Sequence, residues 1–179
     1  MNVPTYATGG LFMPDKETLE RAQEDEREGK SPSTQAGEFV KEEMDHIREG
    51  KHGAASTKQA IAIGLSKARR SGVKLPPPKK GKTSAATRAK AVRDEKKGQS
   101  PTKKKTSAKR SRAVSAALKR EGRAAASHGA LSKQAKTSAR QRGSASRKQA
   151  AKKAVRTKGA AGRSQAAKKA ARTRARRSR

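Results

Sequence analysis

The sequence predicts a mostly disordered chain with α-helical parts: a small two-helix hairpin followed by a long basic tail with transient helices. Three observations predict this class. Leu, Ile, Val and Phe together number 17 of 179 residues, too few to bury a large core. The formal net charge is +32, and high net charge with low hydrophobicity marks chains that cannot offset the entropy of ordering. The charge is also partitioned. Residues 1–50 hold 12 Asp and Glu against 6 Lys and Arg, whereas residues 51–179 hold 3 against 41. The expected organisation is an acidic flexible arm over residues 1–34, a helical hairpin over 35–75 and a basic Lys/Ala-rich tail over 76–179.

Within the arm, Pro4, Gly9 and Gly10 mark a flexible start. Residues 15–28 can form a helix capped by Asp15 and stopped by Gly29. Only Leu19 and Ala22 are apolar there, so the expectation is a solvated, transient helix. Ser31-Pro32-Ser33-Thr34 reads as a linker or turn.

The hairpin begins with a helix over residues 38–49. Val40, Met44 and Ile47 fall at i, i+4 and i+7 with Phe39 beside them, and Gly50 ends it. Its partner starts at Ser56, with Gln59 three residues on, the spacing of a capping box. Ile61, Leu65 and Ala68 form its apolar stripe, Lys58, Lys67, Arg69 and Arg70 take other faces, and Gly72 supplies a left-handed cap. A core of Phe39, Val40, Met44, Ile47, Ile61, Leu65 and Ala68 gives marginal stability, or a homodimer through the hairpin.

Val40-Lys41-Glu42-Glu43-Met44, Arg48-Glu49-Gly50-Lys51 and Lys58-Gln59-Ala60-Ile61-Ala62-Ile63, followed by Leu65-Ser66-Lys67-Ala68-Arg69, resemble a bacterial family catalogued as domain of unknown function 6496. The resemblance covers about residues 38–72. It implies a bacterial source and carries no activity or functional residues.

Pro76-Pro77-Pro78 is expected to be a stiff extended spacer. The tail beyond it resembles, by composition, the tails of linker-histone-like proteins. Residues 110–120 and 130–140 carry faint helical stripes. Ser132-Lys133-Gln134-Ala135, Ser146-Arg147-Lys148-Gln149-Ala150 and Gly162-Arg163-Ser164-Gln165-Ala166 open three similar units separated by Gly143 and Gly159. Ser146 and Gln149 mark a helix start. Such units are self-repelling in water and gain helix on a polyanion. Ser100-Pro101-Thr102-Lys103 is a Ser-Pro-x-Lys turn.

Charge points the tail at nucleic acid, DNA favoured over RNA, through phosphate contacts. The expected contact residues are Lys103, Lys104, Lys105, Lys109, Arg110, Arg112, Arg147, Lys148, Lys152, Lys153, Arg156, Lys158, Lys168, Lys169, Arg172, Arg174, Arg176, Arg177 and Arg179. Base reading needs a rigid scaffold, and stacking needs aromatics, which the basic region lacks. The expected function is therefore nonspecific, histone-like DNA binding in the cytoplasm, at the nucleoid. The alternatives are an RNA-binding or ribosome-associated protein, an adaptor whose hairpin carries specificity, and a helix-turn-helix in which Lys58, Lys67, Arg69 and Arg70 touch phosphates.

Glu42 and His46 stand at i and i+4 with His52 nearby, read as a surface arrangement rather than a metal site, so no metal and no cofactor is expected. No catalytic constellation is visible, so no enzyme is expected. The chain has no Cys, hence no thiolate chemistry. No apolar run approaches a membrane span, and the start lacks the pattern of a secretory signal.

Overall fold

A computed structural model describes residues 13–101 and 107–177, the side chains of 157, 158 and 177 excepted. Its elements are α1 (Lys16–Arg27), α2 (Pro32–Glu49), α3 (Thr57–Arg70), α4 (Ala85–Gln99), α5 (Ala108–Arg120), a 3-10 turn (Ala124–Ala126), α6 (His128–Gln141) and α7 (Gly143–Arg177). The expectation of a mostly disordered chain with one small hairpin is overturned. About three-quarters of the described residues are helical, none is in a strand, and they divide into two compact units at Ser132/Lys133.

The physical reason lies in residues that hydrophobicity counts undervalue. The first unit is held by alanine, glycine and buried charge. Ala22, Ala36, Ala54, Ala60, Ala68, Ala91, Ala125 and Ala126 are all buried. Each contributes little area, but their small size lets backbones approach and keeps the interior close-packed. Glycine extends the same device. A Cβ at Gly64 on α3 would stand 2.7 Å from Val40 Cα on α2, and one at Gly98 on α4 would overlap the Arg69 carbonyl.

Two apolar clusters result. Ala22, Ala36, Phe39, Ala68 and Val73 form one, flanked by Leu19, Leu65 and Leu75. Met44, Ile47, Ala54, Ala60, Ala125 and Ala126 form the other, flanked by Val40, Ile61 and Leu131. Phe39, Ile47 and Ala68 are fully enclosed and Met44 is nearly so, while Val40, Ile61 and Leu65 are partly buried.

The arm helix α1 is not solvated. Thr18 and Ala22 are buried on it, and Arg21 Nε donates to Glu38 Oε2 on α2 at 2.8 Å. Ser31 to Thr34 is not a linker. Ser31 is the N-cap of α2 and Pro32 its first residue, where a missing N–H costs nothing. Gly50 ends α2 in the left-handed region at φ 80°, and the Lys51 N–H returns to the His46 carbonyl at 3.0 Å. At α3 the Ser56 cap forms, Gln59 N donating to Ser56 Oγ at 3.2 Å, while the returning Gln59 Oε1 accepts from the N–H of Ala55, one residue before the cap, at 2.9 Å.

The Pro76–Pro78 stretch is extended but does not lead away from the fold. Arg69 Nε donates to the Leu75 carbonyl at 3.2 Å, and α4 then returns so that Gln99 Nε2 reaches the Gly72 carbonyl. Burial lowers the pKa of Arg69, and the backbone acceptors take up its donors.

The segment after α5 closes the unit. Gly53 N donates to the Leu118 carbonyl at 2.9 Å and Ala54 N to the Gly122 carbonyl at 3.2 Å. Thr57 Oγ1 donates to the Ala125 carbonyl at 2.7 Å, and Arg48 Nε to the Ala126 carbonyl at 3.1 Å. A run of three alanines thus plugs the loop end of the α2–α3 hairpin.

Candidate nucleic-acid interface and the buried charge cluster

The second unit begins within α6 and continues through α7. Gly143 takes φ 73° between the two helices. Inside α7, Gly159 takes φ 61° and ψ −178°, so a kink divides the helix. That combination lies in a region open essentially to glycine alone. The helix begins at Gly143 and not at Ser146. Ser146, Gln149 and Gln165 therefore lie inside helical segments and do not cap them.

Every described cation of α7 is exposed: Arg147, Lys148, Lys152, Lys153, Arg156, Arg163, Lys168, Lys169, Arg172, Arg174 and Arg176. Lys158 and Arg177 belong to the helix, but their side chains lie outside the described residues, as do Lys103, Lys104, Lys105 and Arg179 altogether. Thr102 and Lys103 of the Ser-Pro-x-Lys motif lie there too. Lys109, Arg110 and Arg112 are exposed on α5, in the first unit.

Spacing along α7 gives the charges a pattern. Lys148, Lys152 and Arg156 stand at successive i, i+4 positions before the kink. Lys168, Arg172 and Arg176 do so after it. Each row puts like charges about 6 Å apart and is repulsive by about 0.2–0.5 kcal/mol per pair. No Asp or Glu follows Glu121 in the chain. High alanine propensity holds the helix against that repulsion.

The first unit treats charge in the opposite way. Lys67, assigned by its sequence position to a polar face, is 1% exposed. Its Nζ lies 3.0 Å from Glu42 Oε1 and 2.9 Å from Glu43 Oε2. The Glu42 contact is a hydrogen bond. The Glu43 contact is close in distance but misaligned, so Glu43 Oε2 counts as an ion-pair partner without a directed bond. Arg69 is buried as well. A helix-turn-helix contact through Lys67 and Arg69 is therefore excluded, because neither side chain reaches the surface.

His46 and His52 belong to this cluster and are buried, which corrects the reading of His46 as a surface group. His46 Nε2 lies 2.9 Å from Asp15 Oδ2. The Asp15 carboxylate thus serves His46 rather than capping α1 through its own side chain. His52 Nδ1 lies 3.0 Å from the Gly53 carbonyl, and His52 Nε2 lies 3.3 Å from Glu43 Oε1. One donor atom from each of Glu43, His46 and His52 falls within 4.8 Å of the other two. Sequence reasoning missed Glu43 and Lys67. The available signal was their position: on α2 and α3 they share faces with Ala36 and Ile47, and with Ala60 and Gly64.

Residues 30–80 match the model of a family of unknown function (DUF6496). That span holds α2, α3 and the extended segment after them, with Glu42, Glu43, His46, His52 and Lys67. No curated protein and no solved structure matches the chain significantly. No helix among the described residues is long and apolar enough to cross a membrane.

Proposed function

We propose that this protein is a nonspecific, histone-like DNA-binding protein of the bacterial nucleoid, a binding protein rather than an enzyme. It acts by neutralising backbone phosphates with its C-terminal cations. The observation that carries this reading is α7: a helix with exposed cations on all sides and no acidic residue in its sequence. A helix polar all round has no face to bury in its own protein. A duplex supplies what it lacks, since phosphates along the groove edges neutralise both repulsive rows and release condensed counterions. The lysines and arginines project from a helix that has no aromatic side chain and only Gln149 and Gln165 as side-chain amides, which favours phosphate contact over base recognition.

The test keeps the full chain and its helix. Lys148, Lys152, Arg156, Lys168, Arg172 and Arg176 are replaced together by Gln, a good helix former. Binding to duplexes of unrelated sequence is measured by fluorescence anisotropy across salt concentrations. For the parent chain the log–log slope is expected on the order of −10, with equal affinity for each sequence. The variant loses about 5 from the magnitude of that slope, at about 0.9 per phosphate contact. An unchanged slope, or a strong sequence preference, overturns the reading. Tighter binding to duplex RNA than to DNA in competition replaces it with an RNA-binding role.

A further inference from the structure

We infer that Glu43, His46 and His52 form a binding site for one divalent transition-metal ion, with zinc the best chemical match. The decisive pair is His52 Nε2 and Glu43 Oε1, 3.3 Å apart and almost fully buried. The Gly53 carbonyl can only accept, so His52 Nδ1 carries the proton that it donates there. A neutral His52 then turns the Nε2 lone pair toward a carboxylate oxygen, and two acceptors face each other in a buried site. Neither atom has a hydrogen-bond partner. A cation between them resolves the conflict.

The spacing suits a metal. Zinc bonds of about 2.0–2.1 Å in tetrahedral geometry hold neighbouring ligand atoms about 3.3–3.4 Å apart. Glu43 and His46 stand at i, i+3 on one face of α2, and His52 closes on them from the following loop. His46 donates Nε2–H to Asp15, which leaves Nδ1 as its ligating nitrogen. The surrounding contacts are those that orient metal ligands: hydrogen bonds from His52 to a backbone carbonyl and from His46 to a carboxylate, and an ion pair of Lys67 with the far oxygen of Glu43. Charge agrees. Asp15, Glu42 and Glu43 carry three negative charges around the two imidazoles, and Lys67 returns one, so a divalent ion with neutral histidines closes the balance. Clefts at both histidines, one beside Asp15 and Glu42 and the other beside Glu121 and Arg123, give access from solvent.

The chain has three histidines, which makes the test clean. Full-length, metal-stripped protein is titrated with Co(II), whose visible absorption reports low-symmetry nitrogen and oxygen coordination, and Zn(II) is then added. The expected result is one Co(II) per chain, displaced by Zn(II), with a Zn(II)-dependent rise in the unfolding midpoint. His52→Asn, whose amide can still donate to Gly53, abolishes both signals, and His128→Gln leaves both intact. X-ray absorption on the zinc-loaded parent protein, which needs no variant, shows two imidazoles on the metal. No saturable Co(II) spectrum, the same spectrum in His52→Asn, or fewer than two imidazoles overturns the inference. So does a metal-free His52 ring protonated at both nitrogens by NMR, unchanged by Zn(II), because a proton is then the cation that the pair holds.

Discussion

The two units spend the same residue types in opposite ways. Up to Ser132, Lys67 and Arg69 are enclosed and matched to carboxylates or backbone carbonyls. From Lys133 on, the described cations are exposed and the sequence offers them no Asp or Glu. In the first unit charge specifies packing, because a buried ion must find its partners or the fold fails. In the second it specifies nothing internal and is directed outward. The lesson is that a net charge of +32 does not describe a uniform molecule. Composition averaged over both units conceals the enclosed network of the first, where Glu42 and Glu43 surround Lys67.

Mutations that reverse or remove these roles test the contrast. The largest effect is expected for Lys67→Met. It leaves Glu42 and Glu43 enclosed without their cation, at about 3–5 kcal/mol. Urea unfolding followed by circular dichroism checks the loss, and DNA affinity of the remaining folded protein should stay within twofold. Ala154→Pro comes next. In the interior of α7 it removes a backbone donor and clashes with the preceding turn, a local cost of about 3 kcal/mol. Helix content falls in the second unit while the first keeps its unfolding midpoint, and most DNA affinity survives because the charges remain. Gly64→Ala tests backbone approach. The added carbon at 2.7 Å from Val40 Cα outweighs the gain in helix propensity and costs about 1–3 kcal/mol by overpacking. A neutral or stabilising result would show that α2 and α3 pack less closely. The smallest effect is Thr57→Val. It leaves the Ala125 carbonyl without its 2.7 Å donor and should cost about 1 kcal/mol.

Local signals in the sequence were legible where the cause is local. The Ser56–Gln59 cap needs only four residues, Gly50 ends α2, and Gly72 takes the positive φ expected of a left-handed cap. Met44 and Ile47 followed from helical period, whereas Val40, the first member of that stripe, is only partly buried and its neighbour Phe39 is fully enclosed. What was not legible depends on distant chain. Thr57 meets Ala125 across 68 positions, and nothing in an Ala-Ala-Ala run announces a plug. Lys67 was placed on a polar face because lysine is rarely enclosed, and only Glu42 and Glu43 together make its burial tolerable. The same blindness produced the forecast of disorder. Counting Leu, Ile, Val and Phe assigns no weight to alanine that permits close approach or to glycine that requires it.

The plug over the α2–α3 hairpin also sets an order of events during synthesis. Thr57 and Arg48 find their acceptors only at Ala125 and Ala126, whereas the hairpin itself ends at Arg70. At about 5–20 residues per second, the intervening stretch takes the ribosome roughly 3–11 s to make. Throughout that interval the nascent hairpin waits with Ala54 and Ala60 uncovered and its loop amides unmatched. The capture of residues 118–126 ends that exposure before the last and most cationic segment is translated.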